Sequence, residues 1–223
     1  MHNFLDEQIE ATTDIIPLIA DENDVSVECQ NDDILPLLPL RNMILFPSVV
    51  MPISVGRKKS LRLIRDVYQK EGEMLVGTQI NAQVEDPKLS DIYPMGTVAR
   101  IVRILEMPDG STTVILQGKR RASAVEIIEE SPFLTARIKL LEEEVPNEKD
   151  REFTALVEAL KELSIKIIKN SNSIPDEATF AIRNIENSVG LINFVCSNFS
   201  ISLSDKVKLL ETSNLSERGY MLL

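Results

Sequence analysis

The sequence predicts an α+β fold in which a small β-barrel-like domain with one helix precedes an all-α helical bundle. Between residues 34 and 144 the apolar residues occur in short runs separated by Pro, Gly and Asp, as is typical of strands and turns. Between residues 145 and 223 they recur every three or four residues, as is typical of amphipathic helices. The distribution of charge separates residues 1–33 from both regions.

The first 33 residues form an acidic arm. They hold ten Asp and Glu residues and no Lys or Arg, whereas the rest of the chain holds the other 25 of the 35 acidic residues and all 24 basic residues. Nearly the whole formal net charge of −11 therefore lies in the arm. Because its apolar residues show no sustained period, we expect residues 1–33 to be mostly disordered. The arm is either a solvated leader or a segment that docks on a basic surface of a neighbour.

The β-rich domain begins with residues 36–62, where three prolines interrupt short runs of Leu, Ile and Val. Pro39, Pro47 and Pro52 exclude a long helix before Gly56, and the short runs favour strands. After Gly56 the apolar residues recur at helical spacing with cations on the other face, which predicts one amphipathic helix.

Further strands follow this helix. Residues 81–93 are predicted to be a loop, and the two apolar faces of 97–106 predict a central strand. The segment 107–111 (Met-Pro-Asp-Gly-Ser) predicts a hairpin turn in which Gly110 takes a positive φ. The predicted strands are residues 73–80, 97–106, 112–117, 122–128 and 133–141.

The change to helix falls at Glu142–Asn147, a charged stretch with a proline that we interpret as the boundary between domains 34–144 and 145–223. Pro175 and the acids after it predict a helix start, and Ser202 with Asp205 predicts an N-cap. The predicted helical segments are 153–168, a segment from 175, the nearly all-apolar 191–199, a segment from 202, and one from 216.

The chain ends in the apolar residues 220–223, without the Gly, Pro or polar residues that usually close a helix. We therefore expect the helical subdomain to be truncated and the chain to be a piece of a longer protein.

A set of collinear motifs resembles the N-terminal domain of Lon, the ATP-dependent protease. The resemblance extends over about residues 34–223. The motifs are Leu38-Pro39-Leu40-Arg41, Phe46-Pro47, Val55-Gly56-Arg57, Lys59-Ser60, Asp86-Pro87, Asp91-Ile92-Tyr93, Gly96 to Ile101, Pro108-Asp109-Gly110 and Gly118 to Ala122.

This resemblance implies a PUA-like fold for the β-rich domain and a role in substrate recognition and hexamer assembly. In that family the ATPase and Ser-Lys protease modules lie downstream, so the resemblance implies no catalytic, cofactor or metal residue in this chain. ATP and Mg are expected only in the missing ATPase module. The implied partners are unfolded or degron-bearing proteins and identical subunits.

The residue inventory also gives no sign of catalysis. His2 is the only histidine and lies in the arm, which excludes a buried Ser-His-Asp arrangement, and Cys29, Cys196 and His2 cannot build a usual structural zinc site. Gly56-Arg57-Lys58-Lys59-Ser60 lacks the preceding glycine of a phosphate loop. No apolar run approaches a membrane span and no secretory signal is present, so we expect a cytoplasmic protein that is not an enzyme by itself.

Apolar residues near proline-marked loops are candidates for contact with unfolded substrates, which are recognised through exposed hydrophobic segments. Methionine suits such a surface because its side chain repacks easily. Ordinary core or loop packing is the alternative for each residue. The candidates are Met43, Phe46, Val49, Met51 and Met95.

The start of the predicted helix is basic. This is unusual because the partial positive charge at a helix N-terminus disfavours cations. Arg57, Lys58, Lys59 and Arg62 are therefore candidates for contact with a subunit or a substrate, with a solvated face as the alternative. Together with Lys119-Arg120-Arg121 they could also form a nucleic-acid patch. The near-neutral charge after the arm and an aromatic content of 4% oppose that hypothesis. A stand-alone adaptor with only this domain is a further alternative, opposed by the unfinished C-terminal helix.

Overall fold

The computed structural model describes residues 18–19, 30–108, 110–147, 149–170 and 177–223. Most of the acidic arm lies outside these ranges, as do Asp109, Pro175 and Asp176. The elements in chain order are β1 (Leu18–Ile19), β2 (Ile34–Leu40), β3 (Val49–Val55), α1 (Lys58–Gln69), β4 (Glu73–Gln79), a 3₁₀ turn (Leu89–Asp91), β5 (Ile92–Glu106), β6 (Thr112–Glu129), β7 (Thr135–Leu140), α2 (Arg151–Asn170), α3 (Glu177–Asn184), α4 (Ser188–Asn198), α5 (Leu203–Glu211) and α6 (Leu215–Tyr220).

The seven described strands form one mixed sheet in the order β1-β3-β6-β5-β4-β2-β7. Strands β2 and β4 are parallel, and the other described pairs are antiparallel. The first half of β6 pairs with β3 and β5, and its second half pairs with β7. The hydrogen-bonded path from β6 through β5, β4, β2 and β7 therefore returns to β6. With its helices, this sheet confirms the predicted α+β class.

One long strand, β6, replaces the two strands that were predicted at 112–117 and 122–128. The chain stays extended through Gly118 because the glycine lets the strand pass close to the backbone of Phe46. A Cβ at Gly118 would lie 2.2 Å from the Phe46 carbonyl oxygen. Irregularities in the β5–β6 pairing, such as that between Val98 and Ala99, absorb the bending of so long a strand.

The hairpin between β5 and β6 has the predicted turn. Gly110 has a φ of +80°, and its N–H donates to the Met107 carbonyl oxygen at 2.9 Å. Strand β5 begins at Ile92, earlier than the predicted residue 97, because Ile92 already pairs with Gln79 of β4. Its far end is less covered than predicted, since Val102 is exposed.

Helix α1 lies where the sequence predicted it and buries Leu63, Ile64 and Val67 against the sheet. In the second half of the chain, α4 is buried along most of its length, as its apolar sequence predicted. The predicted N-cap is also present, since the Ser202 hydroxyl accepts a hydrogen bond from the Asp205 N–H at 3.2 Å. Further helices therefore follow the boundary stretch in the predicted order.

Helix α2 differs from the prediction on one face. The apolar spacing that predicts the helix includes Leu163 and Ile167, but they are 42% and 48% exposed. The buried stripe of α2 runs instead through Leu156, Leu160 and Ser164. The apolar spacing predicted the helix correctly, but the buried face of the helix is narrower than the apolar face.

The sheet and the helices share one hydrophobic cluster. Ile44, Phe46 and Val49, from the proline-rich entry segment and β3, pack with residues of the helices. The helical contributors include Phe153, Leu156, Leu160, Ile192, Cys196, Val207, Leu209, Leu210 and Leu215. The helices are therefore attached to the sheet by buried apolar surface.

The close approach at Gly118 gives a test of this packing. We expect Gly118→Ala to lower the free energy of unfolding by about 1–3 kcal/mol, because the new methyl group meets a backbone oxygen that cannot rotate away. The matched control is Gly56→Ala, where an added Cβ meets nothing within 4 Å. Urea unfolding should show a change within about 0.5 kcal/mol for the control. Equal losses for the two variants would contradict this account.

Candidate functional site

The predicted apolar contact residues do not form one exposed surface. Phe46 and Val49 are fully buried in the cluster shared with the helices, and Met51 is buried in the core beneath α1. For these three residues the structure shows the alternative, ordinary core packing, because the sheet and helices close over them. Met43 and Met95 are half-buried, and each packs at the margin of a different core cluster.

Arg57 lies half-buried before the first turn of α1 and has partners within the chain. Its Nη2 donates to the Pro39 carbonyl oxygen at 2.6 Å, and its Nη1 donates to the Glu85 carbonyl oxygen at 3.3 Å. Burial lowers the pKa of Arg57, and the neighbouring Arg41 cation lowers it further. Arg41 pairs with the Glu85 carboxylate at 2.9 Å. Arg57 and Arg41 thus attach the loop around Glu85 to the end of β2 and to the start of α1.

Lys59, two residues after Arg57, also contacts this loop. Its Nζ lies 2.7 Å and 2.8 Å from the two carboxylate oxygens of Asp86. Lys58 and Arg62 are exposed and make no ion pair with any other described residue. Two of the four predicted cationic contacts therefore have intramolecular partners, and Lys58 and Arg62 face solvent.

The alternative hypothesis of a nucleic-acid patch is not supported at Arg121. Its side chain is 1% exposed, so its guanidinium cannot reach a phosphate. Lys119 and Arg120 are half-buried. The strand turns the Arg121 side chain toward the helices, so this part of the patch keeps only Lys119 and Arg120.

Arg121 belongs instead to a buried ionic group that the sequence did not predict. Its Nε lies 2.9 Å from Oε1 of Glu143, and Nη2 of Arg218 lies 3.1 Å from Oε2 of the same carboxylate. Arg218 is 0% exposed and Glu143 is 20% exposed. These residues come from β6, the stretch after β7, and α6. We name the three residues the Arg121–Glu143–Arg218 clamp.

Backbone oxygens and the side chain of Asn193 accept further hydrogen bonds from the two guanidinium groups. Arg121 donates to the carbonyl oxygens of Leu210 at 3.0 Å and of Glu142 at 2.6 Å. Arg218 donates to the side-chain oxygen of Asn193 at 2.9 Å and to the carbonyl oxygen of Thr212. Because buried cations are costly unless they are paired and hydrogen-bonded, these contacts hold both arginines at the junction of sheet and helices.

Burial lowers the pKa of Arg121, the Glu143 carboxylate opposes that change, and the Arg218 cation adds to it. The two cations repel each other, so the single carboxylate between them is what stabilises the arrangement. The adjacent backbone is also fixed, since Glu144 exchanges hydrogen bonds of 3.0 and 3.1 Å with Ser213 and Leu215. The charged stretch interpreted as a boundary is therefore part of a packed junction.

Two weak signals in the sequence pointed to the clamp. Arg121 is the last of three consecutive cations, Lys119-Arg120-Arg121, and is followed by the small residues Ala122 and Ser123, whereas Arg218 lies in the last helix beside Gly219. Neither signal identifies a partner. Glu143 gave no signal at all, because a run of three glutamates is typical of a solvated surface.

Cys196 is a buried free cysteine. Burial raises the pKa of the Cys196 thiol to about 12, which keeps it protonated and unreactive at neutral pH. Within the described ranges, no group of three or more His, Cys, Asp and Glu side chains could hold a metal ion. None of the helices in those ranges is long and apolar enough to span a bilayer.

Comparisons with known proteins agree on one family. Residues 34–223 match the model of the ATP-dependent protease La (LON) substrate-binding domain. The chain is 49% identical over 218 residues to the Lon protease of Flavobacterium johnsoniae, covering 96% of this chain and 26% of that protein. It is 46% identical over 191 residues to the Lon protease of Parabacteroides distasonis, covering 86% of this chain and 23% of that protein. The chain thus spans about a quarter of the length of these relatives.

Two solved structures have a similar fold. The N-terminal domain of the Mycobacterium avium complex Lon protease aligns with a TM-score of 0.67 at 20% identity, over 85% of this chain and 96% of that one. A Lon N-terminal domain protein from Xanthomonas campestris aligns with a TM-score of 0.60 at 19% identity, over 85% and 96%. At these identities the likeness concerns the fold alone.

The clamp predicts a large effect from one uncharged substitution. Glu143→Gln keeps the size of the side chain but leaves two buried cations without a counter-charge, so we expect the free energy of unfolding to fall by about 2–4 kcal/mol. Glu126→Gln is the matched control, since its pair with Arg137 is exposed and contributes about 0–1 kcal/mol. Chemical denaturation of both variants measures the difference. A loss for Glu143→Gln no larger than that of the control would rule out a stabilising clamp.

Proposed function

The chain belongs to the family of Lon substrate-binding domains, and on that basis we propose that it recognises protein substrates and helps assemble the subunits of an ATP-dependent Lon-like protease. The family match carries this proposal, because it extends without interruption over both the sheet and the helices. The relatives named Lon protease, of which this chain spans about a quarter, support a parent protein with further modules.

The proposed parent is a hexameric serine endopeptidase of the cytoplasm that degrades misfolded and short-lived regulatory proteins. In this proposal the ATPase module, with its ATP and Mg, and the Ser-Lys protease module belong to the parent outside this chain. The chain itself contributes binding and not catalysis. The ionisable groups at the centre of the structure support that division of labour, because they form the clamp between sheet and helices.

We further propose that the chain comprises the arm (residues 1–33), a PUA-like β-barrel domain (34–144) and a helical bundle (145–223). The hydrogen-bonded path that leaves β6 and returns to it supports the barrel. The packing of α2 with α3, α4 and α6 supports the bundle. The clamp and the shared apolar cluster join the two parts.

The predicted contact residues enter this proposal unequally. Lys58 and Arg62 are exposed cations without ion pairs to other described residues, which suits contact with a neighbouring subunit or an acidic substrate segment. Met43 and Met95 are the partly accessible members of the apolar set. Arg57 and Lys59 bind Glu85 and Asp86 within the chain, so they are weaker candidates for contact with a subunit or substrate.

The experiment that tests substrate recognition compares unfolded and folded forms of one protein. Fluorescently labelled, reduced and carboxymethylated α-lactalbumin is the unfolded probe, and native α-lactalbumin is the control. We expect fluorescence anisotropy at moderate salt to show binding to the unfolded form at least about tenfold tighter than to the native form, because only the unfolded form exposes extended apolar segments. No detectable binding, even with the chain artificially oligomerised to supply avidity, would refute recognition by this domain.

A further inference from the structure

Strand β3 lies near the edge of the sheet, and most of its outer side is unpaired by described residues. On its inner side it pairs with β6 from Val50 to Val55. On its outer side it pairs with β1 at two positions, Val49 with Ile19 and Val50 with Leu18. Beyond these two positions, none of the described strands pairs with that side of β3, and edge strands of this kind bind extended peptides.

The edge of β3 carries one of the usual protective features, a proline, but no charged side chain. Soluble proteins blunt edge strands with charged side chains or prolines, and β3 (Val-Val-Met-Pro-Ile-Ser-Val) contains no charge. Its Pro52 lacks an N–H and therefore interrupts pairing in the middle of the strand. The accessible pairing positions at the start of β3 are those that β1 occupies.

A helix lies on the other side of this position. Strand β1 is next to α4 as well as β3, so it occupies a slot between the strand and the helix. Helix α4 contains no charged residue. A slot formed by an uncharged strand and an uncharged helix favours an extended apolar segment over a charged one.

The occupant has this chemistry. Strand β1 belongs to the apolar run 15–20 (Ile-Ile-Pro-Leu-Ile-Ala), which Asp14 and Asp21 flank within the acidic arm. The arm is otherwise rich in acids and polar residues, so the segment seated on β3 comes from its most apolar part. The chain thus places its own substrate-like sequence on its own sheet edge.

We propose that the slot between β3 and α4 binds extended apolar segments of unfolded proteins, and that Leu18–Ile19 occupies it in cis as a competing pseudosubstrate. This inference rests on the proposed function and gives it a site and a regulator. Main-chain hydrogen bonds at Val50 depend little on the sequence of the bound segment, which suits a domain that binds many different substrates. Because a tethered segment competes at a millimolar effective concentration, even weak pairing of the arm reduces substrate affinity.

The test uses the full 223-residue chain with two substitutions in the arm. Leu18→Asp combined with Ile19→Asp adds two negative charges to the segment that pairs with β3, and should displace the arm because the uncharged slot favours an apolar segment. Ile9→Asp combined with Val25→Asp is the matched control, which adds the same charge to apolar arm residues outside β1. The probe is the labelled, carboxymethylated α-lactalbumin. We expect the β1 variant to bind it at least about fivefold more tightly than the unmodified chain, and the control to bind as the unmodified chain does.

A second probe tests the mode of binding. A labelled peptide with the sequence of residues 14–22 should bind the β1 variant and compete with α-lactalbumin. The same peptide with N-methyl groups at the positions of Leu18 and Ile19 keeps its side chains but loses two backbone donors, so it should bind at least about tenfold more weakly. Equal binding of the two peptides would overturn the strand-pairing mode.

Three other outcomes are decisive. If all chains bind α-lactalbumin equally, the slot is not the substrate site, although the proposed function stands. If no chain binds α-lactalbumin, the proposed function itself fails. If the unmodified chain is a dimer and the β1 variant is a monomer in sedimentation equilibrium, the arm pairs with a second copy, and occupation in cis is overturned.

Discussion

The carboxylate of Glu143 is the contact on which the arrangement of sheet and helices depends. It lies between the guanidinium groups of Arg121 and Arg218, both of which are almost completely buried. Neither cation could remain there without a counter-charge, since water cannot solvate it. Strand β6, the segment after β7 and helix α6 must therefore stay together for either arginine to stay buried.

The apolar cluster around Phe46 makes the same connection by different means. Pro39, Pro47 and Pro52 keep the entry segment from becoming a helix, and the turn at Pro47-Ser48 places Phe46 and Val49 under the helices. The clamp fixes the orientation of the helices relative to the sheet, and the cluster supplies buried apolar area between them. Both contacts fix the position of α4 beside the edge of β3. Helix α4 contributes Ile192 and Cys196 to this cluster, and its Asn193 accepts a hydrogen bond from Arg218 of the clamp.

Local patterns in the sequence predicted most of the elements, whereas non-local contacts decided which residues are exposed. Helix α1, the turn at Gly110 and the cap at Ser202 depend on neighbours within a few residues, and each was found. Phe46 and Val49 were candidates for an exposed contact surface because proline-marked loops usually lie at the surface, but their partners come from distant helices. Glu143 resembled a solvated residue for the same reason, since its partner Arg218 is 75 residues away.

The central claim is that sheet and helices form one cooperative unit, with the clamp and the shared cluster at their junction. Native-state hydrogen exchange, followed amide by amide in increasing denaturant, tests it most directly. The account predicts that the slowest amides of β6 and of α4 open with the same free energy, equal to that of global unfolding. A distinctly lower opening free energy for the α4 amides would show that the helices unfold independently, and would contradict the claim.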